Sequence, residues 1–177
     1  MSRHNFRKAF LIPVLALGAI ALWPTTSHAQ FKQGDYELTL GGTGANNRGF
    51  TAGSGGVDLS IGYFFTQNIE VAFRQNFDVA SASGTTDFTG ESRVAADYNF
   101  DFGKWVPFIG ANIGGSYGNN GYKGSFEVAP EGGVKYFLNA TTFIVAEAEY
   151  EIFFRNAHGN SFNGGSWVYS LGLGVRL

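Results

Sequence analysis

The chain has 177 residues, no cysteine, 14 acidic and 12 basic residues, and a mean hydropathy of −0.04. That length suits one domain, the missing cysteines exclude a disulfide framework and any thiolate metal site, and the hydropathy excludes a bundle of transmembrane helices. Aromatics reach 16%, glycine supplies 26 residues and charged residues only 15%, where a soluble domain carries ~25% charge.

The first stretch concerns the compartment. Arg3, Arg7 and Lys8 precede the apolar run Ala9–Trp23, and Ser27 and Ala29 stand at the −3 and −1 positions of a cut before Gln30. This is the three-part pattern of a secretory signal peptide. A permanent anchor is the rival reading, but the run is shorter than the ~20 residues of a spanning helix, and Pro13 interrupts it. The expected organisation is a signal peptide over 1–29 and one domain over 30–177. Removal of the signal leaves 9 basic residues against 14 acidic ones, a net charge of about −5. That balance argues against nucleic acid as a partner.

Period 2 dominates residues 35–177, in eight segments. The first, 35–42, carries Tyr36, Leu38 and Leu40 in one phase. The second, 57–65, carries Val57, Leu59, Ile61, Tyr63 and Phe65. The third, 69–79, carries Ile69, Val71, Phe73, Phe77 and Val79. The fourth, 88–100, carries Phe88, Val94, Ala96, Tyr98 and Phe100. The fifth, 107–117, carries Pro107, Ile109, Ala111, Ile113 and Tyr117. The sixth, 126–137, carries Phe126, Val128, Pro130, Val134 and Tyr136. The seventh, 144–154, carries Ile144, Ala146, Ala148, Tyr150, Ile152 and Phe154. The eighth, 167–177, carries Trp167, Tyr169, Leu171, Leu173, Val175 and Leu177. Successive side chains of a strand point to opposite faces, so each set is one face.

The other phase collects the charge: Asp35, Glu37, Asp58, Glu70, Arg74, Asp78, Glu91, Arg93, Asp97, Glu127, Glu131, Lys135, Glu147, Glu149, Glu151, Arg155 and Arg176. Most of its remaining positions are small or neutral polar, with a few aromatics such as Phe64 and Phe108. The stretch VAEAEYEIF (145–153) is the clearest case, with Glu147, Glu149 and Glu151 at every second position. On a helix, residues two apart lie ~200° apart and the carboxylates would wrap the surface. Only a strand keeps the three together.

Two architectures carry such alternation: a soluble sandwich or lipocalin-like barrel with the apolar face inward, and an outer-membrane barrel with that face toward lipid. Three features favour the second. The apolar segments are ~9–11 residues, the length a tilted strand needs to cross a bilayer. Aromatics gather at the segment ends: Tyr63, Phe65, Phe100 and Tyr136 at one rim, and Phe77, Phe88, Tyr117, Phe126, Phe154 and Trp167 at the other. Amphipathic rings settle at the headgroup level, so these read as a girdle. The chain also ends in phase, through Leu171, Leu173 and Val175 to Leu177. Short connections at 66–68, 101–106 and 138–143 alternate with longer Gly/Asn/Ser-rich ones at 42–56, 80–87, 118–125 and 155–166. The fold class expected is all-β: an eight-stranded antiparallel up-and-down transmembrane barrel in the outer membrane, with both chain ends on the periplasmic side.

WVPFIGANIGGSYG (105–118), GGVKYFLNATTFIVAEAEYEIFF (132–154) and VYSLGLGVRL (168–177) resemble the small outer membrane protein beta-barrel domain family, which includes barrels of the OmpA transmembrane, OmpX and OmpW type. The resemblance covers essentially the whole of 30–177 and implies the same barrel. It implies outer-membrane lipid and lipopolysaccharide as surroundings and the outer-membrane assembly machinery as a partner. That machinery recognises the terminal alternation of the family, which usually ends in Phe where this chain has Leu177.

For sites, the residues suggest a lumenal ion-pair network, structural or pore-lining, of Glu70, Arg74, Glu91, Arg93, Asp97, Glu127, Glu131, Lys135, Glu147, Glu149, Glu151, Arg155 and Arg176. No cofactor and no metal are expected, because in-phase residues of one strand are ~6.5–7 Å apart, too far for a single ion without further ligands. Some barrels of the resembled group are lipid A deacylases with a Ser/His/acid site. Here His158 and Ser161 lie in the last loop, the stretch after them has no acid, and their spacing departs from that pattern. No enzyme is expected. The functional expectation is a monomeric structural or surface barrel with a side-chain-filled lumen and loops that mediate binding. A narrow cation-favouring channel is the alternative, since small lumenal residues such as Gly62, Gly110, Gly114, Gly133, Gly172 and Gly174 would leave a water path between acidic walls. An outer-membrane lipid A hydrolase comes third.

Overall fold

Alternation of apolar and polar residues makes a ribbon with two unlike faces, and eight such ribbons satisfy their backbone only by pairing edge to edge. The computed structural model describes residues 31–47, 53–82, 85–119, 124–154 and 165–177. The expected signal peptide, Arg155, His158 and Ser161 lie outside these residues. The strands are β1 (Tyr36–Asn47), β2 (Gly53–Phe64), β3 (Ile69–Ala82), β4 (Thr85–Asn99), β5 (Trp105–Gly118), β6 (Phe126–Phe137), β7 (Thr142–Phe154) and β8 (Ser166–Arg176). Each pairs antiparallel with the next, and β8 returns to β1 to close the barrel. Closure removes both sheet edges, which a strand structure in lipid requires because no water is present to bond a free edge.

Burial runs opposite to that of a soluble barrel. Leu40, Ile109 and Leu171 on the outer face are 57%, 60% and 64% exposed, while Glu70, Arg93 and Glu127 on the inner face are 2%, 2% and 0% exposed. One row of register partners (Leu38, Ile61, Phe73, Val94, Ile113, Val128 and Ile152) is apolar on seven successive strands. Soluble monomers rarely expose a continuous apolar patch beyond a few hundred Å². This belt surrounds the molecule, so the lipocalin-like alternative is excluded. Ile152 is 7% exposed despite its outward phase, and along its strand it is flanked by Tyr150 and Phe154, each of which packs at a tilt against a ring of the neighbouring strand.

Ring pairs mark both rims. At the end that holds the chain termini stand Tyr36–Tyr63, Tyr63–Phe65, Tyr98–Phe100 and Trp105–Tyr136, with centroids 4.6–5.1 Å apart. At the opposite end stand Phe77–Phe88, Phe126–Phe154 and Tyr150–Trp167. There the phenol of Tyr117 accepts a hydrogen bond from the Gln75 amide at 2.8 Å.

The connections at the terminal end are tight and locked by side chains. Thr66 Oγ1 accepts from the Ile69 amide at 2.9 Å, Asp101 Oδ1 from the Gly103 amide at 2.8 Å, and Asn139 Oδ1 from the Thr141 and Thr142 amides at 2.9 and 2.8 Å. These are the ST- and Asx-type turns that such residues favour. The opposite end departs from the composition-based reading. Stretches 42–56 and 80–87 are not long loops: β1 and β2 stay paired to Asn46↔Gly53, and β3 and β4 to Ala82↔Thr85. Ladder bonds join backbone to backbone, so Gly, Ser and Thr pair there despite their turn-like composition. Most of the 119–125 and 155–165 connections lies outside the described residues.

Val94 lies in the apolar belt between the rings of Phe88 and Tyr98 and is 49% exposed. Val94→Arg is expected to lower the unfolding free energy in lipid vesicles by ~2–4 kcal/mol, the cost of a cationic side chain near the bilayer midplane. Urea titration of the folded protein checks this.

Candidate functional site: a charged lumen above an aromatic plug

A narrow barrel built from these strands turns its inner phase onto itself. At the terminal end that phase is aromatic. Phe31, Phe64, Val106, Phe108, Phe137, Phe143 and Val145 form a buried cluster. Phe31 precedes β1 and reaches the cluster through a hook: the Lys32 amide donates to Asp35 Oδ2 at 2.9 Å, and the Gly34 amide to the Phe64 carbonyl at 2.9 Å. Gly34 has φ +94°, a conformation that favours glycine. The hook lays Phe31 flat on Phe64, centroids 4.0 Å apart, and edge-on to Phe137 at 5.3 Å.

Lys135 stands over this plug. Its Nζ donates to Glu37 Oε2 at 2.6 Å and to Glu70 Oε2 at 2.7 Å, and it lies 5.0–5.8 Å from the ring centroids of Phe31, Phe64, Phe108 and Phe143. The ammonium thus has carboxylates from β1 and β3 and the faces of four rings, a setting in which cation–π attraction adds to ion pairing.

The next layer is centred on Arg74, which reaches Asp97 at 2.9 Å, Glu131 at 2.9 Å and Glu147 at 2.6 Å, on β4, β6 and β7. Further toward the opposite rim Arg93 meets Glu149 Oε1 at 2.5 Å, Glu151 at 3.3 Å and Glu91 at 3.8 Å. Arg74 and Arg93 are direct register partners, and like charges placed so are destabilising on their own. Glu131 and Glu149 are also opposed. The two repulsions offset each other because the cations of β3 and β4 face the anions of β6 and β7 across the lumen. Asn112 ties the layers, donating through Nδ2 to both Glu131 and Glu149.

The lumenal glycines make room for these groups. A Cβ at Gly174 would stand 2.1 Å from the Phe143 ring, at Gly133 2.6 Å from Phe108, at Gly62 2.0 Å from Glu70, and at Gly114 2.5 Å from Arg93. The space is filled by a neighbouring ring or charged chain. Arg176 takes a different place from the rest of the charged set: its Nε lies 3.7 Å from Asp35 near the chain ends, with both side chains 20% exposed. Three participants escaped the sequence reading. Glu37 was seen only as an inward acid, Asn112 carries no charge, and Phe31 lies before the first alternating segment. Asn112 and Glu37 share the inward phase, which is the one signal that would have found them.

The geometry holds buried charge in ion pairs, and no nucleophile–base pair occurs among its described members. In structural comparison the chain is similar to the outer membrane protein OprG of Pseudomonas aeruginosa (TM-score 0.61, 13% identity, 84% of this chain and 98% of that one). It is also similar to the N-terminal β-barrel domain of Pseudomonas aeruginosa OprF (0.57, 19%, 82% and 98%) and to Neisserial surface protein A (0.57, 17%, 81% and 95%). No protein-family model and no curated protein matches the chain.

Lys135→Met leaves Glu37 and Glu70 buried without their cation and is expected to cost ~3–5 kcal/mol of unfolding free energy. Arg176→Met, at a half-wet pair, is expected to cost under ~1 kcal/mol. Both are read from urea titrations of the barrel in lipid vesicles. Burial inverted relative to a soluble barrel, a closed strand order and these likenesses agree: the chain is an eight-stranded transmembrane β-barrel of the outer-membrane type.

Proposed function

We propose that this protein is a structural, surface-exposed barrel of the outer membrane whose lumen is closed by its own side chains. The observation that carries the reading is the stack of three buried cations, each bonded to carboxylates of other strands, above a plug of stacked rings. Eight strands enclose an interior that side chains can fill, and here five of the six glycine positions that would widen a pore, Gly62, Gly110, Gly114, Gly133 and Gly174, face Glu70, Asp97, Arg93, Phe108 and Phe143 in turn. Outer-membrane lipid and lipopolysaccharide are the partners of the apolar belt, the assembly machinery is the partner during insertion, and the barrel acts as a monomer. Binding in this reading belongs to the loops at the rim away from the chain termini. Catalysis is not part of it.

A cation channel is the reading that the acidic lumen favours, and one experiment separates the two. The folded protein in planar bilayers is expected to give no discrete conductance steps. Steps that are cation-selective and disappear on Glu147→Gln would overturn the closed-lumen reading.

A further inference from the structure

The three layers do not balance. Among the described residues, the inner face of the strands holds eleven carboxylates (Glu37, Asp58, Glu70, Asp78, Glu91, Asp97, Glu127, Glu131, Glu147, Glu149 and Glu151) and four cations, Arg74, Arg93, Lys135 and, at the rim, Arg176. The deficit is not spread evenly. Lys135 and Arg74 each hold their own acids at 2.9 Å or less. Above Arg93 it is acute.

Glu91 of β4, Glu127 of β6 and Glu151 of β7 bring one carboxylate oxygen each to within 4.8 Å of one another. Glu127 is 0% exposed, and it is the one described carboxylate with both oxygens buried and without a hydrogen-bond partner. Arg93 is shared among Glu149, Glu151 and Glu91, reaches the last two only at 3.3 and 3.8 Å, and does not reach Glu127. A buried carboxylate with no partner is costly. The neighbouring cluster of Glu131, Glu147 and Glu149 is a different case, because Arg74, Asn112 and Arg93 bond at least one oxygen of each carboxylate, Glu131 Oε1 being left without a partner.

We infer that Glu91, Glu127 and Glu151 form a binding site for a hard divalent cation, with calcium the best match. Hard cations take oxygen ligands, and calcium accepts them at ~2.3–2.6 Å in flexible geometry, whereas magnesium demands ~2.0–2.1 Å. Oxygens within 4.8 Å of one another can share one such ion, and the flexible geometry of calcium suits ligands drawn from three strands. The ligands come from three strands, so the 6.5–7 Å repeat along one strand no longer prevents convergence. Toward the rim the site is closed by Ser116, the register partner of Glu91, and Ser125, whose hydroxyls are 3.0 Å apart and buried. Toward the barrel centre it is bounded by Arg93. The ion would join β4, β6 and β7 at the level where guanidinium charge runs out.

The test is calorimetric titration of calcium chloride into the folded protein, extracted into detergent and stripped with EDTA. One saturable equivalent is expected, weakened at least tenfold by Glu127→Gln and unchanged by Glu131→Gln. The faster migration of unboiled protein on a gel verifies that each variant is folded, and Glu91→Gln replaces Glu127→Gln if the latter does not fold. Absence of saturable binding by the wild type, or equal binding by the folded Glu127→Gln variant, overturns the site and means that the triad holds protons instead. The result is independent of the closed-lumen reading: a barrel that is silent in bilayers and blind to calcium loses only the cation site.

Discussion

A strand in lipid can give only one face to the hydrocarbon, so every charge it carries goes inward, where eight strands leave little water to solvate it. The rest of the structure follows from that confinement. Buried ions must find counter-ions at bonding distance. Here most of the counter-ions are on strands that are not adjacent, Asp97 beside Arg74 and Glu91 beside Arg93 being the exceptions. Lys135 of β6 is held by Glu37 of β1 and Glu70 of β3, and Arg74 of β3 by Glu131 and Glu147 of β6 and β7. Each cation therefore ties opposite walls together, and the barrel cannot widen without separating charges in a medium of low polarity.

The aromatic plug answers the same constraint at one end. Rings fill the taper where charge would be hardest to satisfy, and their faces attract the single ammonium placed over them. The hook at Gly34 brings Phe31 in from outside the strands to finish the layer. At the other end no ring among the described residues closes the lumen, the serines and glutamates remain, and the acidic excess collects there.

Much of the fold was legible in the residues because the side-chain period of a strand is two. Every strand presents the face its pattern assigned, from Leu38 and Leu40 in β1 to Leu171 and Leu173 in β8. Strand ends were less legible. Residues 80–82 and 85–87 are Ala, Ser, Thr and Asp, a composition that marks turns, yet their backbones pair. Pairing across the lumen was not legible at all, since it depends on how far the register shears around the barrel. Thus Glu147, Glu149 and Glu151 looked like one ladder, but the structure divides them among Arg74, Arg93 and the triad near Glu127. Phe31 was invisible for another reason: it belongs to no alternating segment.

The central claim is that cross-lumen ion pairs, rather than a passive polar lining, hold the walls together. A double-mutant cycle on Arg74 and Glu147, using Arg74→Met and Glu147→Gln with unfolding free energies in lipid vesicles, measures it most directly. These side chains meet at 2.6 Å from strands on different sides of the barrel. The account predicts a coupling of about 1 kcal/mol or more, within the range of ~0.5–3 kcal/mol for residues in contact. Additivity within ~0.3 kcal/mol would contradict it.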